Sequence, residues 1–334
     1  MRSSLGPGGS PRSRVVALLL MSNATLALCA ASPAFAQDCT LKKVASITLE
    51  ATHGAIPVIS AKLNDSARRF VIDTGSPLSA IDPQVAEELG LTTVPITGVE
   101  LYTNGKEIDR YARAKSIRLD HAEVTDLTLL LVPPQVLPSG VDGLIGADIL
   151  SIFDLDFDFG KKTLNLMSPK HCKGNVVYWT DAYTTVPFEL SWSRHLFVPV
   201  MLDGKRMNAL IDTGSARTSI RESSASRAFG LNQDSSGVER IQGMPTDSSL
   251  RFRYRFDSLS FEGVTVLHPL IYVHADVNER TFSRKHRDEE QVDPTTRVDL
   301  EHADVVVGMN ILESLHVYVS YDEQVLYITE AGAH

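Results

Sequence analysis

The sequence predicts a strand-rich chain built from two copies of one unit. Phe70-Val71-Ile72-Asp73-Thr74-Gly75-Ser76 returns as Ala209-Leu210-Ile211-Asp212-Thr213-Gly214-Ser215. Leu144-Ile145-Gly146-Ala147-Asp148-Ile149-Leu150 returns as Val306-Val307-Gly308-Met309-Asn310-Ile311-Leu312. Between these landmarks, short apolar-patterned runs alternate with Gly, Asn and Pro punctuation, the pattern of strands joined by tight turns.

The elements follow in order. From Ser46 to Ile59 apolar residues alternate with small or polar ones, as strands do. Asn64-Asp65-Ser66 is a turn before the run into Asp73. Gln84 to Leu89 has a short helical pattern closed by Gly90. Val94 to Arg113 holds Gly98 and Asn104-Gly105 between strand-like pieces, a hairpin. Ser116 to Val132 reads as two strands, and Pro133-Pro134 with Pro138-Ser139-Gly140 as a loop. A helical turn follows at Ala147 to Ser151. Then comes a strand pair, Phe153 to Phe159 and Thr163 to Leu166, turning at Gly160-Lys161.

The second half repeats the plan. Phe197-Val198-Pro199-Val200 echoes Ile56-Pro57-Val58, and Asp203-Gly204 is the turn before the second motif. The two aspartates stand 139 residues apart (212 minus 73), and Ile220 matches Ile81 at that offset. The glycine landmarks stand 162 apart (308 minus 146). Leu315, Val317, Val319, Tyr321, Leu326 and Ile328 keep that second offset from Phe153, Leu155, Phe157, Phe159, Leu164 and Leu166. A register held over so many positions marks an internal duplication. The extra residues fall in a charged insertion at about 278–304, which includes Arg284-Lys285-His286-Arg287-Asp288-Glu289-Glu290. Its composition reads as a solvated loop, with a substrate-gating loop as the other reading.

The chain has 334 residues, 43% of them hydrophobic, enough for two lobes with their own cores. Its net charge of -9 argues against a nucleic-acid partner. Residues 1–36 read as a signal peptide. Arg2, Arg12 and Arg14 form a basic start, an apolar run begins at Val15, and Ala34-Phe35-Ala36 is a cleavage site. The competing reading is an uncleaved anchor, against which Ser22, Asn23 and Thr25 interrupt the run. A lipidated Cys29 is weaker, because bulky Leu28 precedes it. The expectation is an exported protein, periplasmic or secreted, without stable membrane insertion after cleavage. Export leaves Cys39 and Cys172, a pair that either bridges the N-terminal tail to the middle of the chain or stays as two thiols.

Each Asp-Thr-Gly-Ser follows an apolar run that carries it toward the interior, where a lone carboxylate is costly. One copy is most simply a capped turn. Two copies suggest that Asp73 and Asp212 meet. Two like charges repel by about 4 kcal/mol at roughly 4 Å in an effective dielectric of about 20. One proton is then shared, and the pair can activate water.

These residues together resemble the aspartic proteases. Each half pairs an apolar-Asp-Thr-Gly-Ser motif with an apolar-apolar-Gly segment before a short helix. The compact spacing is similar to the retropepsin-like domain, here fused in tandem as in exported bacterial aspartyl protease-like proteins. The resemblance covers roughly Ile56 to Ile328. It implies a mainly β fold of two pseudo-twofold-related retropepsin-like β-barrel lobes. The expected domains are 37–168, a linker at 169–186, and 187–334 with the charged insertion. It implies an aspartic endopeptidase with Asp73 and Asp212 catalytic and no covalent intermediate, cofactor or metal. Thr74 and Thr213 would cross-brace the two loops, Gly75 and Gly214 would let backbone N–H groups approach the carboxylates, and Ser76 and Ser215 would hydrogen-bond the outer oxygens. Pepsin-type enzymes carry a flap Tyr, and Tyr102 beside Asn104-Gly105 is the candidate, with a surface Tyr as the other reading. Gly237 and Gly243-Met244-Pro245 suggest a second flap. The partner is a peptide or protein substrate, and no oligomer is required. The alternative class is a catalytically silent peptide-binding or regulatory protein of the same fold.

Other patterns carry less. Asp154, Asp156 and Asp158 before Gly160 hint at a calcium loop, but Asn165 stands where a bidentate Glu belongs, so an exposed strand face is the simpler reading. The histidines show no H-E-x-x-H spacing, and there is no G-x-S-x-G or P-loop. Asn64-Asp65-Ser66 formally fits a glycosylation acceptor.

Overall fold

The computed structural model describes residues 40–52, 55–98, 100–103, 106–191, 193–241, 250–276, 282–283 and 303–332. Residues 1–36, for which the sequence suggests a signal peptide, Cys39, Asn104-Gly105 and most of the charged insertion lie outside them. Among the described residues no helix is long and apolar enough to cross a membrane.

The first half is an eight-stranded sheet. Its order is Glu50–Ala51, Pro57–Leu63, Ser66–Ile72, Gly143–Ile145, Ala80–Ile81, Ala122–Leu131, Arg110–Leu119, Thr92–Pro95. Pro57–Leu63 also pairs with Arg110–Leu119, which folds the sheet back on itself. The turns are what the sequence dictates. Asn64 and Asp65 both take positive φ, and the Asn64 side chain accepts from the Lys115 amide at 2.7 Å. The short helix Pro83–Glu88 starts on Asp82, whose carboxylate accepts from the Gln84 amide, and Gly90 follows at φ +59°.

The second half repeats the arrangement. Lys205–Ile211 lies between Leu196–Leu202 and Val305–Val307, and Ser219–Arg221 lies beyond. In both halves the motif strand has a parallel neighbour carrying the glycine landmark. Phe70 and Ile72 lie opposite Gly143 and Ile145, and Ala209 and Ile211 lie opposite Val305 and Val307.

A six-stranded sheet joins the halves, in the order Lys43–Thr48, Thr163–Met167, Asp154–Asp158, Leu315–Ser320, Val325–Glu330, Thr184–Pro187. Its two central strands come one from each half, with Leu155 opposite Val319 and Phe157 opposite Val317. Alternation sends Leu155, Phe157, Val317 and Val319 into one continuous core shared by both halves.

The other face of that sheet corrects one expectation. Asp154, Asp156 and Asp158 are buried, at 0%, 0% and 5% exposure, not an open strand face. They are covered by residues between the two halves and by half two. His171 bonds Asp154, Tyr178 and Asn165 bond Asp156, and His316 of the facing strand bonds Asp156. Their carboxylates are thereby taken up. The charged insertion adds one described piece, Phe282–Ser283, which pairs with Glu100–Thr103 of the first-half hairpin.

Candidate active site

Both motif loops are built by the same backbone bonds. The Asp73 amide donates to Ile145 O and the Asp212 amide to Val307 O, each at 3.0 Å. Past the turn, Ala147 N donates to Ser76 O and Met309 N to Ser215 O, each at 2.8 Å. The glycine landmarks are required by this crossing. A Cβ on Gly146 would stand 2.8 Å from Ser76 O, and one on Gly308 would stand 2.7 Å from Ser215 O.

The two loops meet. Thr74 Oγ1 donates to Ile211 O at 2.8 Å, and Thr213 Oγ1 donates to Ile72 O at 2.7 Å. Each hydroxyl also accepts the other threonine's amide at 3.1 Å. Both threonines are almost fully buried, so all four groups would be orphaned without the opposite half.

This brace brings the aspartates together. A Cβ on Gly75 would lie 2.4 Å from Asp212 Cγ, and one on Gly214 would lie 2.3 Å from Asp73 Cγ. Only glycine allows so close an approach. The Gly75 amide donates to Asp73 Oδ1 at 2.9 Å and the Gly214 amide to Asp212 Oδ1 at 2.8 Å. Both aspartates are half-buried.

Burial pushes the Asp73 carboxyl well above the usual carboxylate range, and the Asp212 charge and hydrogen bond push it further. Asp212 is also raised by burial, against which the Gly214 amide and the Asp73 hydrogen bond stabilise its ionised form. Both carboxyls are raised, so the pair holds a proton more tightly than a free carboxylate does and titrates as a unit.

The serines differ from expectation. The Ser76 hydroxyl donates to Leu78 O and the Ser215 hydroxyl to Arg217 O, each at 2.9 Å. Each bond runs to a carbonyl two residues on and closes the turn. The carboxylate is served by backbone instead, with the Ser215 amide donating to Asp212 Oδ1 at 3.1 Å.

The sequence reading overlooked a supporting layer. Asp148 Oδ1 accepts from the Ser79 amide and hydroxyl, and the Gly146 amide donates to Ser79 Oγ. In half two Asn310 Oδ1 accepts from the Thr218 amide, and the Gly308 amide donates to Thr218 Oγ1. The signal was available, because Ser79 and Thr218 keep the first offset while Asp148 and Asn310 keep the second. Tyr102 falls on the Glu100–Thr103 strand opposite Glu107, and its side chain lies outside the described residues, as does Gly243-Met244-Pro245. Among the described residues no cluster of His, Cys, Asp and Glu could hold a metal. Cys172 is disulfide-bonded, and Cys39 lies outside the described residues.

Comparison with known proteins bears on the family and the fold. The aspartyl protease family model matches twice, over residues 59–149 and 198–311. The chain belongs to the aspartyl protease family. Among solved structures, the aspartic proteinase from Irpex lacteus superposes with a TM-score of 0.51 at 12% identity, covering 86% of this chain and 97% of that one. The crystal structure of edgp superposes with a TM-score of 0.50 at 10% identity, covering 87% and 96%. These likenesses establish the fold, two pseudo-symmetric β lobes of aspartic proteinase type. No curated protein matches the sequence.

Proposed function

We propose that the chain is an aspartic endopeptidase that hydrolyses peptide bonds through one water held between Asp73 and Asp212. The observation that carries this reading is the mutual approach of the two carboxyls, each against the other half's motif glycine. The ionised member of the pair takes a proton from the water while the protonated member donates to the scissile carbonyl. The resulting tetrahedral diol collapses as the proton taken from the water passes to the leaving amine and the diol returns its own to the pair. The chain's own carboxyls suffice for each of these transfers. Gly75 and Gly214 hold the carboxylates by their amides, Thr74 and Thr213 fix the loops, and Ser76 and Ser215 close the turns behind them. The Glu100–Thr103 hairpin, with Tyr102, is the flap over a bound peptide.

The domain reading is a first lobe to 168, a linker at 169–186 and a second lobe from 187. The chain acts after export, with 1–36 removed and Cys39 bridged to Cys172. A disulfide at Cys172 favours an oxidising compartment. N-terminal sequencing of the mature protein should begin at Gln37, and mass spectrometry of a non-reduced digest should yield the Cys39–Cys172 pair. Two free thiols would remove it.

The functional test is incubation with a diverse peptide library from acid to neutral pH, with and without pepstatin. Pepstatin-sensitive cleavage is expected at acid pH. It should fade as pH rises past the upper value of the pair, when both carboxyls are ionised. No cleavage under any condition would move the weight to a peptide-binding protein of the same fold.

A further inference from the structure

The outer face of the joining sheet holds a second ionisable cluster, remote in sequence from the motif loops. His171, in the linker, is buried. Its Nε2 lies 2.7 Å from Asp154 Oδ2. Its Nδ1 lies 3.2 Å from Cys172 O and 3.5 Å from Glu323 Oε1. Every partner is an acceptor. A neutral imidazole has one N–H and can satisfy only one side, whereas imidazolium satisfies both. Asp154 belongs to half one and Glu323 to half two, so the ring stands between carboxylates of both halves.

The surroundings are closed. Asp154 also accepts from the Tyr318 hydroxyl and the Tyr321 amide. Glu323 accepts from the Tyr327 hydroxyl at 2.7 Å and from the Gly174 amide at 3.1 Å. Beside them, His316 Nε2 lies 2.6 Å from Asp156 Oδ1, and its Nδ1 faces Asp158 at 3.9 Å, where Lys161 pairs with Asp158. The linker's Trp179 stacks on His316 at 3.9 Å, and Tyr178 donates to Asp156 at 2.5 Å.

We propose that His171 is a proton-operated clasp between the two halves. Protonated, it ties the linker and Asp154 of the first half to Glu323 of the second; deprotonated, it releases one side and slackens the joining sheet. The clasp does not depend on peptidase activity.

The signs agree. Burial alone would lower His171, but the Asp154 hydrogen bond, the Cys172 carbonyl and the Asp154 and Glu323 charges carry it above the ordinary histidine value. Burial raises Asp154 as well, with His171 opposing. His171 holds its proton more tightly folded than unfolded, so its contribution is present at mildly acid pH and is lost as pH rises through its folded value. The Asp154 contribution has the same sign but is lost as pH rises through the folded value of Asp154 itself. Asp158 runs the other way: burial raises it, but Lys161 overrides and lowers it. Its contribution is lost as pH falls through that lowered value, which closes the window from the acid side.

The test uses the full mature chain carrying Asp73→Asn and Asp212→Asn together, so that the motif aspartates cannot titrate. Its melting temperature should fall by several degrees from pH 5 to pH 8, and His171→Gln added to it should flatten that fall. An equal slope with and without His171→Gln overturns the proposal. NMR titration of histidine side chains in the same background covers the case in which His171→Gln fails to fold. One ring should titrate above the free-imidazole value and move down in Glu323→Gln. Finding no such ring overturns the proposal equally.

Discussion

The two halves share one loop and differ in what surrounds it. Behind the first loop, Leu78, Leu130, Asp148, Ile149 and Ile152 line a shallow depression of about 280 Å³. In the second half the places of Leu78 and Leu130 are held by Arg217 and Tyr272, whose guanidinium and ring lie 5.1 Å apart. Asp148 gives way to Asn310. The backbone-amide hydrogen bonds that hold the loop survive these changes. Duplication has therefore preserved the backbone geometry that presents an aspartate, while the side chains one layer out have diverged.

The largest expected effect tests whether the halves are equal partners. Asp73→Asn and Asp212→Asn should each lower kcat/KM for a library-selected peptide by about 10²–10⁴-fold, with far-UV circular dichroism unchanged. Asn keeps the shape but cannot exchange the proton. Substantial cleavage by either variant would break the equivalence. Next, Gly75→Ala and Gly214→Ala should each abolish pepstatin binding measured by calorimetry, because each new methyl lands on the opposite carboxyl. Retention of binding by either would show that the loops can part without loss.

Thr74→Val and Thr213→Val probe the brace. Each removes a donor from a buried carbonyl and an acceptor from a buried amide, at about 1–3 kcal/mol per orphaned group. Urea titration should report the same loss from both sides. A marked inequality would mean that one half bears the junction alone. The smallest effect separates Asp148 from Asn310. Burial raises Asp148 above the ordinary carboxylate value, with the Ser79 bonds opposing. The folded chain thus holds that proton more tightly than the unfolded chain, and stability falls as pH rises through the folded value. Asn can accept the same Ser79 bonds without that cost. Asp148→Asn should raise the melting temperature slightly at pH 7 and leave it unchanged near pH 3, as scanning calorimetry can read. Asn310→Asp should lower it, by setting a carboxylate oxygen against Leu270 O in place of an amide donor.

What the sequence made legible was local and repeated. The apolar runs into Asp73 and Asp212, the short helix closed by Gly90 and the two glycine landmarks depend on neighbours in the chain. The duplication then supplied the one long-range fact that mattered, that the loops face each other. Alternation put Asp154, Asp156 and Asp158 on one face, but it carries no information about what lies over that face. The cover comes from His171, Tyr178 and His316, 17 to 160 residues away. The Ser76 and Ser215 hydroxyls were misjudged for a subtler reason. A hydroxyl rotates freely among acceptors, and here it bonds the carbonyl that closes its own turn. The pairing of Phe282–Ser283 with the opposite half's hairpin carried no sequence signal at all.

The threonine brace has a consequence for the half taken by itself. Thr74 gives its proton to Ile211 O and Thr213 gives its proton to Ile72 O, so each half brings one hydroxyl and one carbonyl to the junction. Such a surface is self-complementary: the patch that recognises the other half would recognise a copy of its own. The peptide tether between the halves therefore chooses a partner for a face that already carries the symmetry of a homodimer, and it frees the side chains around that face to differ.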